Sequence, residues 1–110
     1  MSKMKNVLFV CSRNRLRSPT AERIFAEEPD LQTASAGLSP DAEEQLTPEH
    51  LAWADVVIVM ESMHRRKLAQ RFRTHLRGKR VRCLDIPDRY AYMDPDLIHL
   101  LRRKVPPLLR

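Results

Sequence analysis

Cysteine is scarce in this 110-residue sequence: there are two, and no CxxC pair or Cys/His cluster accompanies them. A disulfide framework is therefore excluded and a zinc site disfavoured, so neither a metal nor a cofactor is expected. Glycine is equally rare, with two residues against eight prolines, so proline supplies the punctuation of the chain. No apolar run exceeds about five residues, far short of a membrane span. No basic-then-apolar segment opens the chain, which makes the cytoplasm the expected location. Repeats, low-complexity segments and linkers are also missing, so residues 1–110 read as a single domain. Aromatics amount to only 5%, and no nucleic-acid motif is present. Nucleic acid is therefore disfavoured as a partner.

What is abundant is positive charge, and it is unevenly spread. The net charge is +6, and residues 63–84 hold nine Lys or Arg and no acid. Such a run is most simply a solvated helix face. The sharper readings are a nucleic-acid patch or a field that draws in anionic substrates.

Residues 5–10 and 54–60 are largely apolar and read as strands covered on both faces. Residues 31–36 and 80–84 mix polar with apolar and read as edge strands. Helices are expected between them. Residues 18–28 carry Ala21, Ile24 and Phe25 on one face, with Pro19 in the first turn and Pro29 at the end. Residues 63–76 place Leu68, Phe72 and Leu76 on one stripe. A last helix opens at Asp94-Pro95 and puts Leu97, Ile98, Leu101 and Val105 on one face. Ser39-Pro40-Asp41 and Thr47-Pro48-Glu49 read as the starts of two short helical turns. Alternating strands and helices imply an α/β fold with a four-stranded parallel sheet, order 2-1-3-4, and helices on both faces. That order reverses beside strand 1, and ligands bind at the carboxyl end of such a switch point.

The residues at that point are Cys11-Ser12-Arg13-Asn14-Arg15-Leu16-Arg17-Ser18-Pro19. Five residues between a thiol and an arginine can wrap a loop whose backbone N–H groups face inward around an anion. The following helix adds the positive end of its dipole. Arg17 can grip two phosphate oxygens at once, and its charge is permanent. The same donors stabilise a thiolate, the nucleophilic form of Cys11. Ser18 can hydrogen-bond the sulfur and ease its departure from phosphorus. The plainer alternative is a small core cysteine ending a strand and a surface arginine.

With its flanking strand and helix, this segment resembles the signature loop of the low-molecular-weight protein tyrosine phosphatases. Ser35-Ala36-Gly37, the stretch Ala54 to Glu61, and Ile86-Pro87-Asp88-Arg89-Tyr90 are similar to further family segments and fall in family order. The resemblance implies a flavodoxin-like phosphatase fold, with Cys11 as nucleophile, Arg17 as clamp and Ser18 as thiolate partner. Ser12, Arg13, Asn14, Arg15 and Leu16 would complete the phosphate-binding loop, whose shape Asn14 would hold with help from Ser35. Asp88 would act as general acid and then as base, and Tyr90 would sit on the substrate rim. The implied partner is a phosphotyrosine protein or a small aryl phosphate.

The sequence also departs from the family. Arg13 stands where the family has glycine, Leu16 replaces a second loop cysteine, and Arg89 replaces the proline after the acid. The family histidine that supports the loop has no counterpart, its position falling near Asp41. Two other readings are compatible with these departures. One is a phospho-ligand or nucleic-acid binding module with weak or no catalysis. The other, an arsenate reductase of the same fold, would need Cys83 to relay a disulfide across two strands.

Overall fold

The computed structural model describes residues 4–109. Four strands, β1 (Lys5–Cys11), β2 (Leu31–Gly37), β3 (Val56–Val59) and β4 (Arg80–Cys83), form one parallel sheet in the order β2-β1-β3-β4. The expected topology is therefore observed. The four helices are α1 (Arg17–Phe25), α2 (Pro48–Trp53), α3 (Ser62–Arg71) and α4 (Pro95–Leu108).

Side-chain alternation along the strands splits the core into two layers. Val7, Phe9, Cys11, Val56, Ile58 and Met60 pack on one face with Ala21, Ile24 and Phe25 of α1 and Leu97, Leu101 and Val105 of α4. Leu8, Val10, Val57 and Val59 pack on the other face with Leu51 of α2 and Leu68 of α3. β3 and residues 7–11 of β1 are apolar because both of their faces are covered. Among the described residues, no helix is long and apolar enough to cross a membrane.

Three expected elements differ. The first helix ends at Phe25, where the backbone turns ahead of Pro29 and Glu28 N–H donates to the Phe25 carbonyl. Proline disfavours helical geometry in the residue before it, so the helix closes early. The long helix over 63–76 breaks at Phe72 (φ −130°, ψ 30°) and resumes as a 3₁₀ turn, Arg73–Leu76. Across the break Phe72 and Leu76 both still reach the core layer beneath α3. Ser39-Pro40-Asp41 forms a turn rather than a helix start. Its neighbourhood is committed elsewhere: Ser39 N–H donates to the Ser12 carbonyl and Glu43 N–H to the Arg13 carbonyl. A helix opened here would turn the Glu43 N–H back to the Ser39 carbonyl, and the loop takes that donor instead.

The basic run covers α3, the 3₁₀ turn and β4. Arg71 donates to the Leu38 carbonyl, and Lys79 donates to the carbonyls of Ala52 and Ala54. Arg65, Arg66, Lys67, Arg73 and Arg77 are exposed, as a solvated face would be.

Candidate active site

β1 ends at Cys11 and α1 begins at Arg17, so residues 12–16 form a loop at the carboxyl edge of the sheet. The loop's outer carbonyls are tied down by the chain beyond β2. Leu38, Ser39 and Glu43 donate N–H groups to the carbonyls of Cys11, Ser12 and Arg13 over 2.8–3.0 Å. With carbonyls fixed outward, the opposite edge of the loop presents N–H groups. Among the described residues, no acceptor takes a hydrogen bond from the backbone N–H of Ser12, Arg13, Arg15, Leu16 or Arg17. Five unspent donors in one small loop make an anion-binding concavity.

The close approach of these segments leaves no room for a side chain at Gly37. A Cβ there would lie 2.5 Å from the Ser12 carbonyl oxygen and 2.6 Å from the Ala42 Cβ. Gly37→Ala is expected to destabilise the fold by on the order of 1–3 kcal/mol, because the clash is with backbone that cannot swing away. Urea denaturation measures this, and an unchanged midpoint would refute the contact.

Arg13 needs no glycine-like backbone, because the left-handed position in the loop falls on Asn14 (φ 57°). Asparagine tolerates that region better than most residues. The Asn14 side-chain amide donates to Ser18 Oγ over 2.9 Å, which leaves the Ser18 hydroxyl proton for Cys11 Sγ, also at 2.9 Å. Asn14 N–H points at the same sulfur from 3.3 Å. Two donors thus converge on Cys11, which is 4% exposed. Ser35 does not reach Asn14; its hydroxyl donates to Glu22 of α1 and so braces the helix that follows the loop.

Arg17 is 2% exposed and held on three sides. Its Nη1 donates to Glu61 Oε1 (2.6 Å) and to the Ile86 carbonyl (2.7 Å), while Nε faces Asp88 Oδ1 at 3.6 Å. Cys11, Ser12, Arg13, Arg15, Leu16, Arg17 and Asp88 line a single cavity of about 580 Å³. Two of the arginines near its mouth have partners of their own. Arg15 pairs with Glu43 at 3.2 Å, and the Arg89 guanidinium lies over the Tyr90 ring. Asp41 is held below the usual carboxylate range by the Ser39 hydroxyl, and further by the charges of Arg13 and Arg15. Tyr90 is outside the cavity lining and rests, half-buried, against the α1–α4 core layer.

Two residues that sequence reasoning left without a role meet this loop, Glu61 and His64. Glu61 caps α3 and His64 follows at the third helical position, in a reciprocal capping arrangement. His64 is fully buried and contacts Ser12 Oγ through Nε2 at 3.0 Å. The loop therefore does have a supporting histidine, supplied by α3 rather than by the region of Asp41. The Glu-x-x-His spacing directly after an apolar strand was the available signal.

Burial pushes the His64 imidazole down to about 4, and the Arg17 and Lys67 charges add to the effect against Glu61 and Asp88. Because the folded value lies below the ordinary imidazole value of 6.5, the unfolded chain binds more protons in between. Stability should thus be lost as pH falls from about 6.5 towards 4, by on the order of 2 kcal/mol once screening is allowed for. Urea denaturation between pH 7 and 4.5 should show this slope in the wild type and a flatter one in His64→Gln. Parallel profiles would assign the slope to other groups.

No protein-family model and no curated protein matches the sequence. Solved structures do match in shape. The YwlE arginine phosphatase from Geobacillus stearothermophilus is 23% identical with a TM-score of 0.75, covering 96% of this chain and 93% of that one. Vibrio vulnificus Wzb, solved in complex with benzylphosphonate, is 25% identical with a TM-score of 0.70 over 90% of each chain. SP-PTP, a low-molecular-weight protein tyrosine phosphatase from Streptococcus pyogenes, is 19% identical with a TM-score of 0.75, covering 96% of this chain and 91% of that one. Four parallel strands in this order, with the loop at the end of β1, give the chain the fold of the low-molecular-weight protein tyrosine phosphatases.

Proposed function

We propose that the chain is a cysteine-dependent phosphatase of this family, which hydrolyses aryl phosphate monoesters, most naturally phosphotyrosine. The observation that carries the reading is the convergence of two donors on Cys11 Sγ inside a cavity that Arg17 and Asp88 share. In the first step Cys11 Sγ forms a bond to phosphorus as the ester P–O bond breaks, and Asp88 gives its proton to the departing phenolate oxygen. In the second, Asp88 takes a proton from water, whose oxygen attacks phosphorus and breaks the P–S bond. Inorganic phosphate leaves, and the thiolate recovers its hydrogen bond from Ser18.

An arsenate-reductase relay is poorly supported. Cys83 sits on β4, two strands from β1, and packs with the opposite core layer from Cys11. Two strand spacings are about 10 Å, beyond disulfide reach. Burial also pushes the Cys83 thiol up, which keeps it protonated against Asp85.

Arg13 and Arg15 at the cavity favour a neutral phenyl ring over a guanidinium. Arg15 is half-exposed and already paired, so the preference should be modest. We expect phosphotyrosine to exceed phosphoarginine by roughly five-fold in kcat/KM at low salt, with the gap narrowing as salt rises. Assay of both substrates with purified protein tests this. Faster hydrolysis of phosphoarginine would reassign the substrate within the phosphatase reading. Binding of phosphate without turnover of either would favour the phospho-ligand binding module.

A further inference from the structure

The buried His64 ring has only one neutral tautomer that fits its contacts. Its Nδ1 accepts the Glu61 N–H at 3.0 Å, so the ring proton must sit on Nε2. Nε2 then donates to Ser12 Oγ at 3.0 Å. Ser12 Oγ is the acceptor in that bond, and its own proton remains to be given. Among the described residues the hydroxyl has no second partner, and Ser12 lines the cavity beside Cys11 and Arg17. A hydroxyl that accepts one hydrogen bond is polarised into a better donor through its own O–H. His64 cannot serve as a base here, because neither ring nitrogen has a lone pair to spare.

We propose that the Ser12 side-chain hydroxyl is a substrate-contacting donor, aimed by His64 at a phosphoryl oxygen, and that it adds to the backbone N–H groups and Arg17. The proposal rests on the phosphate-site reading above. His64 is a positioning residue: it touches Ser12 and never the anion. Its chemistry suits the task, because the charged groups around it are Arg17 at the head of α1, Glu61 and Lys67 on either side of it, and Asp88 on the loop before α4. Burial together with the two cations keeps the ring neutral through the neutral pH range. The donor chain His64 to Ser12 to anion therefore keeps a single direction.

Calorimetric titration with inorganic phosphate at pH 7 tests the proposal without requiring turnover. Ser12→Ala is expected to weaken binding by about 10-fold, the scale of a hydrogen bond to a charged group. Ser12→Thr, which keeps the hydroxyl, should stay within about threefold of wild type on the same scale. His64→Leu should weaken binding nearly as much as Ser12→Ala, and the double variant no more than either alone, since both remove one donor chain. His64→Gln should restore much of the affinity, because its amide can accept from Glu61 N–H and donate to Ser12. Unchanged binding by Ser12→Ala would overturn the contact. Additive losses in the double variant would overturn the coupling and reduce His64 to a packing residue. A wild type that binds phosphate, loses affinity with Ser12→Ala and yet fails to hydrolyse para-nitrophenyl phosphate would uphold this contact while ending the phosphatase reading.

Discussion

Cys11→Ser is expected to abolish hydrolysis of para-nitrophenyl phosphate, with a loss on the order of 10⁴-fold or more, while inorganic phosphate still binds within about threefold of wild type. The two halves of this expectation come from different atoms. Turnover needs a sulfur anion, and a serine hydroxyl at the same place holds its proton too tightly to attack phosphorus. Binding needs the unspent N–H groups of residues 12–17 and the Arg17 guanidinium, none of which the substitution touches. Ser18 Oγ, 2.9 Å from the present sulfur, can donate to a serine oxygen as readily, so the loop has no reason to rearrange. Substantial residual turnover by Cys11→Ser would remove Cys11 from the chemistry. Loss of phosphate binding along with turnover would mean that the sulfur organises the loop, and the variant would then report on folding rather than on reaction.

The parts of this molecule that could be read from the sequence are those where local chemistry and tertiary role coincide. The runs through Val7–Val10 and Val56–Val59 had to be central strands because nothing polar interrupts them, and the sheet order followed from the mixed edges. Asp94 caps α4 through a 2.8 Å bond from Asp96 N–H, as its Asp-Pro context indicated. The loop was legible because a cysteine, an arginine and a helix start have few other reasons to occur at that spacing. Other features depend on contacts between distant segments. Ser39-Pro40-Asp41 carries a helix-start pattern, but its donors are taken by the loop carbonyls of a strand far earlier in the chain. Glu61 and His64 carry their cap signature locally, yet their value lies in reaching Arg17 and Ser12, more than 40 residues away. Arg15 and Arg89 have no partner that can be read from the sequence, and only the fold supplies Glu43 to the one and sets the adjacent Tyr90 ring against the other. Periodicity and motif spacing carry no information on such pairings.

Asp88→Asn should slow hydrolysis in proportion to how badly the leaving group needs a proton. Asp88 lies on the loop after β4, and its side chain is 61% exposed beside the cavity. The loop's origin is anchored from two sides: Ile86 N–H donates to the Met60 carbonyl at 2.8 Å, and the Ile86 carbonyl accepts from Arg17 at 2.7 Å. An acid held two residues beyond that anchor can approach the ester oxygen while Arg17 grips the phosphoryl group. For phenyl phosphate, whose phenolate is a poor leaving group, the loss should be on the order of 10²-fold or more. For para-nitrophenyl phosphate, whose nitrophenolate departs without help, bond cleavage should be nearly unaffected, and any loss should appear in the later attack by water. The neighbouring carboxylates provide controls, since Asp85 accepts from the Cys83 thiol and Asp94 caps α4. Asp85→Asn should therefore leave the dependence on leaving group intact. Rates of the two substrates, measured for wild type and both variants, decide the matter. An equal slowing of both substrates by Asp88→Asn would mark a binding contact with Arg17, and a selective slowing of phenyl phosphate by Asp85→Asn in place of Asp88→Asn would transfer the acid to Asp85.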